Sequence, residues 1–339
     1  MKILVTGANG FLGRFLVTAL LARGDTVRAM ALPSEDATWL VERGVNTLRG
    51  DIRDTNIVRE AIADVEAVFH LAGMMGVWRP LADYHAVNVK GVENVCRTAL
   101  NAGVRRIVHV SSTIVYGFQL PRPATEDSRF APFPDPYAIT KAQGDRLVQR
   151  MISEEHLPAV IIRPDQFFGP GDRLHFAKFA DRLRAGKNIV IGSGANTVPL
   201  IFVTDVVQGL LLALDVKGAE GRAYNLSYGE PMTQEAYLRA IAQAVGAPPP
   251  RIHVPYSMLY SAAYAFERAA TLTHSHRAPP VTPFGVAFLG LNSLHSHEKA
   301  RRELGFEPRV PLSEGVRRTA EWYLHQDAPI SDLMPAVAH

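Results

Sequence analysis

The chain of 339 residues contains one cysteine, Cys96, so no disulfide can form within it. The disulfide framework that staples small secreted domains is thereby excluded, and a reducing, cytoplasmic setting is expected. Also missing is a run of about 18 uncharged apolar residues, the least that crosses a bilayer as a helix. The most apolar segment, YSMLYSAAYAFERAATLTH from Tyr256, is interrupted by Glu267 and Arg268. We expect no transmembrane span. The opening MKILVTGANGFLG is too short and too rich in glycine for a signal peptide, and fits a first β-strand better. Net charge is only +3 and no dense Lys/Arg run occurs, so nothing points to nucleic acid. Internal repeats are absent as well.

What is present is a globular composition, 47% hydrophobic and 20% charged, in a chain long enough for two unequal lobes. The first half alternates strand-like runs (KILVTG, TVRAMAL, NTLRGD, AVFHLAG, RRIVHVSS, AVIIRP) with helix-like ones such as FLGRFLVTALLARG, TNIVREAIAD and VNVKGVENVCRTALNAG. That rhythm predicts an α/β fold with a doubly wound parallel sheet of the Rossmann type. After Arg163-Pro164 it loosens, and from about Glu230 the residues read as a smaller, mainly helical substrate lobe. We expect residues 1–165 with about 199–228 to form the nucleotide lobe, and about 166–198 with 229–330 the substrate lobe. Residues 331–339 read as a loose tail.

The first strand runs into TGANGFLG, which sets Gly7, Gly10 and Gly13 at the mouth of the first helix, with Asn9, Phe11 and Leu12 among them. Glycines at this spacing permit a tight turn, close approach of backbone to a pyrophosphate, and helix–strand packing, with the helix N-terminus facing the phosphates. Asp51 and Ile52 follow the third strand, and Leu71, Ala72 and Gly73 the fourth; such positions line the adenine and ribose side of the crevice. The cofactor is therefore NAD or NADP. A carboxylate at the end of the second strand would hold a ribose 2′-hydroxyl and an arginine a 2′-phosphate, but Ala31 and Leu32 stand there, with Arg28 before and Ser34 after.

Tyr137 and Lys141 in YAITK lie four residues apart, on one face of a helix. A neighbouring ammonium favours the phenolate and brings a tyrosine toward useful acid–base chemistry. Taken alone, the pattern equally suits an ordinary amphipathic helix.

With HLAG, VSSTIVYG, YAITK and RPDQFFGPGD following in this order, the sequence resembles the extended short-chain dehydrogenase/reductase family over nearly its whole length. It looks closest to the branch of 3β-hydroxysteroid dehydrogenases, dihydroflavonol reductases and 2-alkyl-3-oxoalkanoate reductases. The resemblance implies a triad of Ser112, Tyr137 and Lys141, with Thr113 the alternative hydroxyl. In it Tyr137 exchanges a proton with the substrate oxygen, Ser112 bonds that oxygen, and Lys141 binds the nicotinamide ribose and lowers the Tyr137 pKa. We also count Asn88, Pro164, Tyr137 and Lys141 among the cofactor-binding residues. A homodimer packed through the helices after Asn88 and at Tyr137 is expected on the same ground.

Departures from the family narrow the chemistry. Sugar 4,6-dehydratases carry an Asp-Glu pair where Thr113 and Ile114 stand here, and Ile114 can move no proton. Nucleotide-sugar epimerases carry a diphosphate-clamping Arg where this chain has Val198, although Arg173 or Arg182 could substitute. MMGVW, QFF and MLYSAAYAF supply apolar bulk for a hydrophobic pocket, or simply for the core. An oxidoreductase for a small, apolar alcohol or ketone is the leading expectation. An epimerase holding NAD tightly is the alternative, and a non-catalytic dinucleotide sensor is disfavoured by the intact triad. The helix from Tyr256 is expected to be buried in the small lobe or a dimer interface rather than to touch a membrane.

Overall fold

Seven short apolar segments pair into one parallel sheet: β1 (Lys2–Thr6), β2 (Thr26–Ala31), β3 (Asn46–Arg49), β4 (Ala67–His70), β5 (Arg106–Val110), β6 (Ala159–Pro164) and β7 (Ala223–Leu226). Their order across the sheet is β7-β6-β5-β4-β1-β2-β3, so the chain reverses direction of travel between β1 and β4. A ligand crevice opens at such a switch point, beyond the carboxyl ends of the strands. The computed structural model describes residues 1–275 and 277–325, and the expected tail at 331–339 lies outside them.

Both faces of the sheet are covered, as a parallel sheet requires. Val5, Phe69, Val108 and Ile162 point to one core, and Leu4, Val68, Ile107 and Ile161 to the other, all essentially inaccessible. Each such side chain contributes roughly 1.5–3 kcal/mol by leaving water. Helices α1 (Phe11–Ala22) and α4 (Val203–Asp215) pack on the first face, while α2 (Val92–Asn101) and α3 (Pro136–Glu155) pack on the second.

Three features differ from expectation. β7, AYNL, is a seventh strand that its short and partly polar sequence conceals; it pairs Ala223 with Ile161 and Leu226 with Pro164. The helix expected through VNVKGVENV contains a π-helical turn at Ala86–Gly91 before α2 begins. The carboxyl-terminal part also holds three two-stranded sheets, among them Ile189–Ile191 with Ile252–Val254, so it is less purely helical than expected. Within the chain, helix α5 (Tyr256–Leu272) buries only Ala263 fully. It packs along α6 (Pro283–Gly290).

Candidate active site

The turn after β1 is held open by glycine. Gly7 has φ +68°, and a Cβ there would sit 2.9 Å from the Ala72 nitrogen, so β1's turn and the Leu71–Gly73 turn lie directly against each other. A Cβ on Gly13 would lie 2.2 Å from the Gly7 carbonyl oxygen. The N-cap of α1, Gly10, has no side chain to bond the first N–H groups of the helix. Phe11, Leu12 and Gly13 therefore offer backbone donors at the positive end of a 12-residue helix. That cradle fits a dinucleotide pyrophosphate. Asn9 does not share in it freely: its Nδ2 donates to the Asp36 carbonyl at 2.8 Å, and its Oδ1 accepts from Trp39 Nε1 at 2.6 Å.

Other expected contacts have structural work of their own. Asp51 is bonded to Arg53, whose hydrogen bonds hold its carboxyl below the ordinary range against the effect of burial. The Ile52 side chain is tucked under Gly91, where a Cβ would approach it to 2.6 Å. Both N–H groups of Asn88 are spent, on Met74 O (3.0 Å) and Thr140 Oγ1 (3.1 Å), and its Oδ1 accepts from Met74 N (2.8 Å). Asn88 thus ties the turn beyond β4 to α3. Pro164 ends β6, and its carbonyl accepts from Thr113 Oγ1 at 3.3 Å.

Arg28 is excluded as a phosphate ligand: it donates to the carbonyls of Glu60, Ala61 and Ala63, closing the end of the 55–62 helix. Beyond β2, Glu35 Oε2 instead accepts from Leu32 N at 3.1 Å and Arg49 reaches Leu32 O at 3.3 Å. Ser34 is exposed.

The Pro-rich run before Tyr137 is a helix start. Asp135 caps α3 by accepting from Tyr137 N and Ala138 N, and Pro136 occupies the first helical position, where its missing N–H costs nothing. Tyr137 therefore enters in the first turn, and Lys141 follows one turn later on the same face. Lys141 Nζ donates to Val110 O at 2.8 Å, which anchors α3 over the end of β5. Burial lowers the Lys141 pKa to about 8, against the attraction of Asp145. Burial likewise pushes Tyr137 up to about 12, with a hydrogen bond from Ser112 working in the opposite direction and the Asp135 carboxylate adding to the rise. Burial, rather than the expected downward pull of Lys141, therefore governs the phenol.

Ser112 and Thr113 separate cleanly. Ser112 caps the short turn Thr113–Tyr116, accepting from Ile114 N at 3.3 Å, and its hydroxyl acts to lower the Tyr137 pKa against burial. Thr113 is buried and donates to Asp165 Oδ1 at 2.9 Å. Asp165 in turn accepts from His295 Nδ1 at 2.5 Å.

Below lies a network that the sequence did not announce. Arg163 on β6 grips Asp145 on α3 through two bonds of 2.8 and 2.9 Å, with both side chains almost wholly buried. Burial works against the guanidinium charge, but the bonds and attraction of Asp145 outweigh it and raise its pKa. Arg163 Nη1 also donates to Tyr116 Oη at 2.8 Å, and Tyr116 donates to Asn225 Oδ1 at 2.8 Å. This chain locks the VSSTIVYG loop to α3, β6 and β7.

Aromatic bulk gathers in an unexpected place. Phe118, just beyond the Ser112 turn, and Phe133, four residues before Tyr137, meet Phe284 and Phe288 of α6 with ring centroids 5.8–6.3 Å apart. All four rings are half-buried. The QFF segment, read as pocket or core, packs as core: Phe168 is fully buried against Phe202, and Phe167 stacks on Phe11.

Residues 3–227 match the family model described as the NAD dependent epimerase/dehydratase family. The chain belongs to that family. This family member is 33% identical over 327 residues to the 2-alkyl-3-oxoalkanoate reductase of Stenotrophomonas maltophilia (strain K279a), covering 94% of this chain and 98% of the relative. It is 30% identical over 354 residues to the 3-beta-hydroxysteroid dehydrogenase of Mycolicibacterium neoaurum, covering 99% and 96%. The UDP-glucose 4-epimerase of Thermus thermophilus, solved in complex with NAD, superposes with a TM-score of 0.77 at 26% identity, over 97% of this chain and the whole of that one. The family member is thus an NAD(P)-dependent enzyme of the extended short-chain dehydrogenase/reductase type. No helix among the described residues is long and apolar enough to cross a membrane.

Proposed function

We propose that this enzyme interconverts a secondary alcohol and a ketone on an apolar substrate, steroid-like, flavonoid-like or β-hydroxy/β-keto acyl. The observation that carries the reading is the cluster of Phe118, Phe133, Phe284 and Phe288, two of whose members stand in the segments that lead out of the Ser112 turn and into Tyr137. Half-buried rings clustered on the segments that flank the Ser112 turn and Tyr137 suit a hydrophobic skeleton. The two reductase and dehydrogenase relatives named above support the same substrate class.

In this reading Gly7, Gly10, Phe11, Leu12 and Gly13 hold the pyrophosphate, and Leu71, Ala72 and Gly73 close the crevice beside it. The nicotinamide, when bound, supplies or accepts the hydride. Tyr137 is the acid–base group. In the reducing direction its phenolic proton passes to the ketone oxygen as that oxygen gains negative charge; in the oxidising direction it receives the hydroxyl proton. A phenol kept protonated by burial suits the reducing direction. Ser112 bonds the reacting oxygen and orients it. Lys141, fixed on Val110 O, meets the cofactor ribose. We take residues 1–165 with about 199–228 as the nucleotide lobe and the remainder, to about residue 330, as the substrate lobe. A reducing cytoplasm suits the single buried Cys96, and a homodimer through α2 and α3 is our expectation for the assembly.

The epimerase alternative lacks its clamp at the expected position. Val198 is buried and pairs with Met232, and no guanidinium stands at that position to meet a diphosphate. The deciding test is the near-ultraviolet absorbance of reduced nicotinamide, with NAD or NADP and a panel of hydroxysteroids, β-hydroxy acids and UDP-sugars. Net cofactor turnover on an apolar substrate, abolished in Tyr137→Phe, is the expected result. Isomerisation of a sugar nucleotide without net turnover would overturn it.

A further inference from the structure

Helix α5 shows apolar surface where a surface helix normally shows charge. On its inner side Ala263 is buried, and Tyr256, Leu259 and Tyr260 pack with it against Ile191 and Val286. On the opposite side Met258, Ser261, Ala265, Ala269 and Leu272 face solvent. Met258 is 59% and Leu272 73% exposed, while Tyr264 and Phe266 on the flanks are 54% and 49% exposed. Of the twelve exposed large apolar side chains among the described residues, five fall between Ile252 and Leu272. A helix apolar all round is ordinarily buried, and a concentrated exposed patch marks an interaction surface.

The charges bordering this patch have one sign. Arg251 and His253 precede the helix, Arg268 lies on its exposed side, and His274 and Arg277 follow it, all of them exposed. Glu267, the only acidic residue between Pro250 and Pro283, is half-buried, and its carboxyl is raised by burial first and the Asp135 charge second. Exposed apolar side chains flanked by Arg251, Arg268 and Arg277 match an anionic phospholipid surface, into which an interfacial helix sinks by about 5–10 Å. A second copy is a poorer match, because a two-fold contact would set the basic rim against itself.

We infer that α5 docks this enzyme on an anionic membrane surface. The dock adjoins the crevice. Trp78, in the loop beyond β4, donates from Nε1 to Ser275 O at 3.0 Å, three residues past the end of α5. Asp135, which Glu267 senses, is the cap of the helix that carries Tyr137. An apolar substrate can then pass from the bilayer toward Tyr137 with little exposure to water; this consequence rests on the substrate reading above, whereas the docking does not.

Cosedimentation of the full chain with vesicles tests it. The protein is expected to pellet with phosphatidylcholine vesicles doped with phosphatidylglycerol, less so as salt rises, and not with phosphatidylcholine alone. Met258→Glu with Leu272→Glu is expected to lower the bound fraction roughly tenfold. Both side chains are exposed, so an unchanged circular dichroism spectrum and Tm are expected of that variant. No binding to either vesicle, or binding indifferent to those exchanges, overturns the inference. So does a dimer seen by light scattering that the same exchanges dissociate, which would give the face to a second copy. Tyr137→Phe is expected to bind vesicles normally. Docking without turnover of any apolar compound would therefore sink the substrate reading and leave the docking standing.

Discussion

Gly13→Ala distinguishes a phosphate cradle from a turn that serves only packing. The added Cβ would lie 2.2 Å from the Gly7 carbonyl oxygen, 2.6 Å from the Ala8 oxygen and 2.7 Å from the Ala8 carbonyl carbon. These are backbone atoms that cannot rotate aside, so α1 and the 7–10 turn must separate by about 1 Å. Two opposed effects act on stability. Alanine gains about 1 kcal/mol of helix propensity over glycine, and overpacking costs about 1–3 kcal/mol. Their sum is a loss of about 0–2 kcal/mol, a few degrees in Tm. Cofactor affinity has no such offset. A hydrogen bond from a backbone N–H to a charged phosphate contributes roughly 1.5–3 kcal/mol, so misplacing two of them weakens binding about 10²- to 10⁴-fold. Titration of reduced cofactor by fluorescence, beside a thermal melt of the same sample, reads both. A folded Gly13→Ala protein with wild-type affinity would refute the cradle.

Further predictions follow from the buried groups. Ser112→Ala is expected to lower kcat by about 10²-fold with little change in Tm, whereas Thr113→Val is expected to lower Tm, because it removes one of the two hydrogen bonds that the buried Asp165 accepts and leaves only that from His295; steady-state kinetics and melts on the two variants separate the roles. Asp145→Ala strands the Arg163 guanidinium and is expected to cost about 3–5 kcal/mol in urea unfolding, with Asp145→Ala/Arg163→Met recovering much of it. His70, whose pKa burial lowers to about 3, stays neutral in the folded protein while the unfolded chain takes up a proton below about pH 6.5. The unfolded state then binds more protons, so stability falls as pH drops from about 6.5 toward 3, by about 1.4 kcal/mol per unit. A His70→Gln variant whose urea midpoint fell as steeply over that window would show that His70 is not the group responsible.

The parts of this molecule legible in its sequence are those whose partners lie close in the chain. Gly7, Gly10 and Gly13 act within one turn, and Tyr137 and Lys141 within one turn of a helix, so the chain displays them side by side, although the tyrosine and lysine draw their reading from the family resemblance rather than from spacing alone. The six strands from Lys2 to Pro164 declare themselves by apolar runs between glycines. β7 does not, because Tyr224 and Asn225 gain their place from β6 and Tyr116 rather than from any local pattern. The different surroundings of Ser112 and Thr113 were hidden for a similar reason: the two are neighbours, and Thr113 is bonded to Asp165, 52 residues beyond it. The four-phenylalanine cluster joins residues 118 and 133 to 284 and 288, a separation that no periodicity can report. QFF stayed open between pocket and core because apolar residues at a strand end look the same in either place. The π-helical turn at Ala86–Gly91 has no composition of its own; tertiary bonds from Asn88 to Met74 and Thr140 hold it.

Cys96 lies fully buried on α2, and burial pushes its thiol up to about 12. Such a thiol is inert toward maleimides and similar reagents at neutral pH. The native chain is therefore already a blank background for site-specific labelling, with no cysteine to remove first. A cysteine placed at one exposed position, on the outer side of α5 or in the loop carrying Trp78, becomes the only reactive thiol. A polarity-sensitive dye attached there reports its own surroundings without a competing signal.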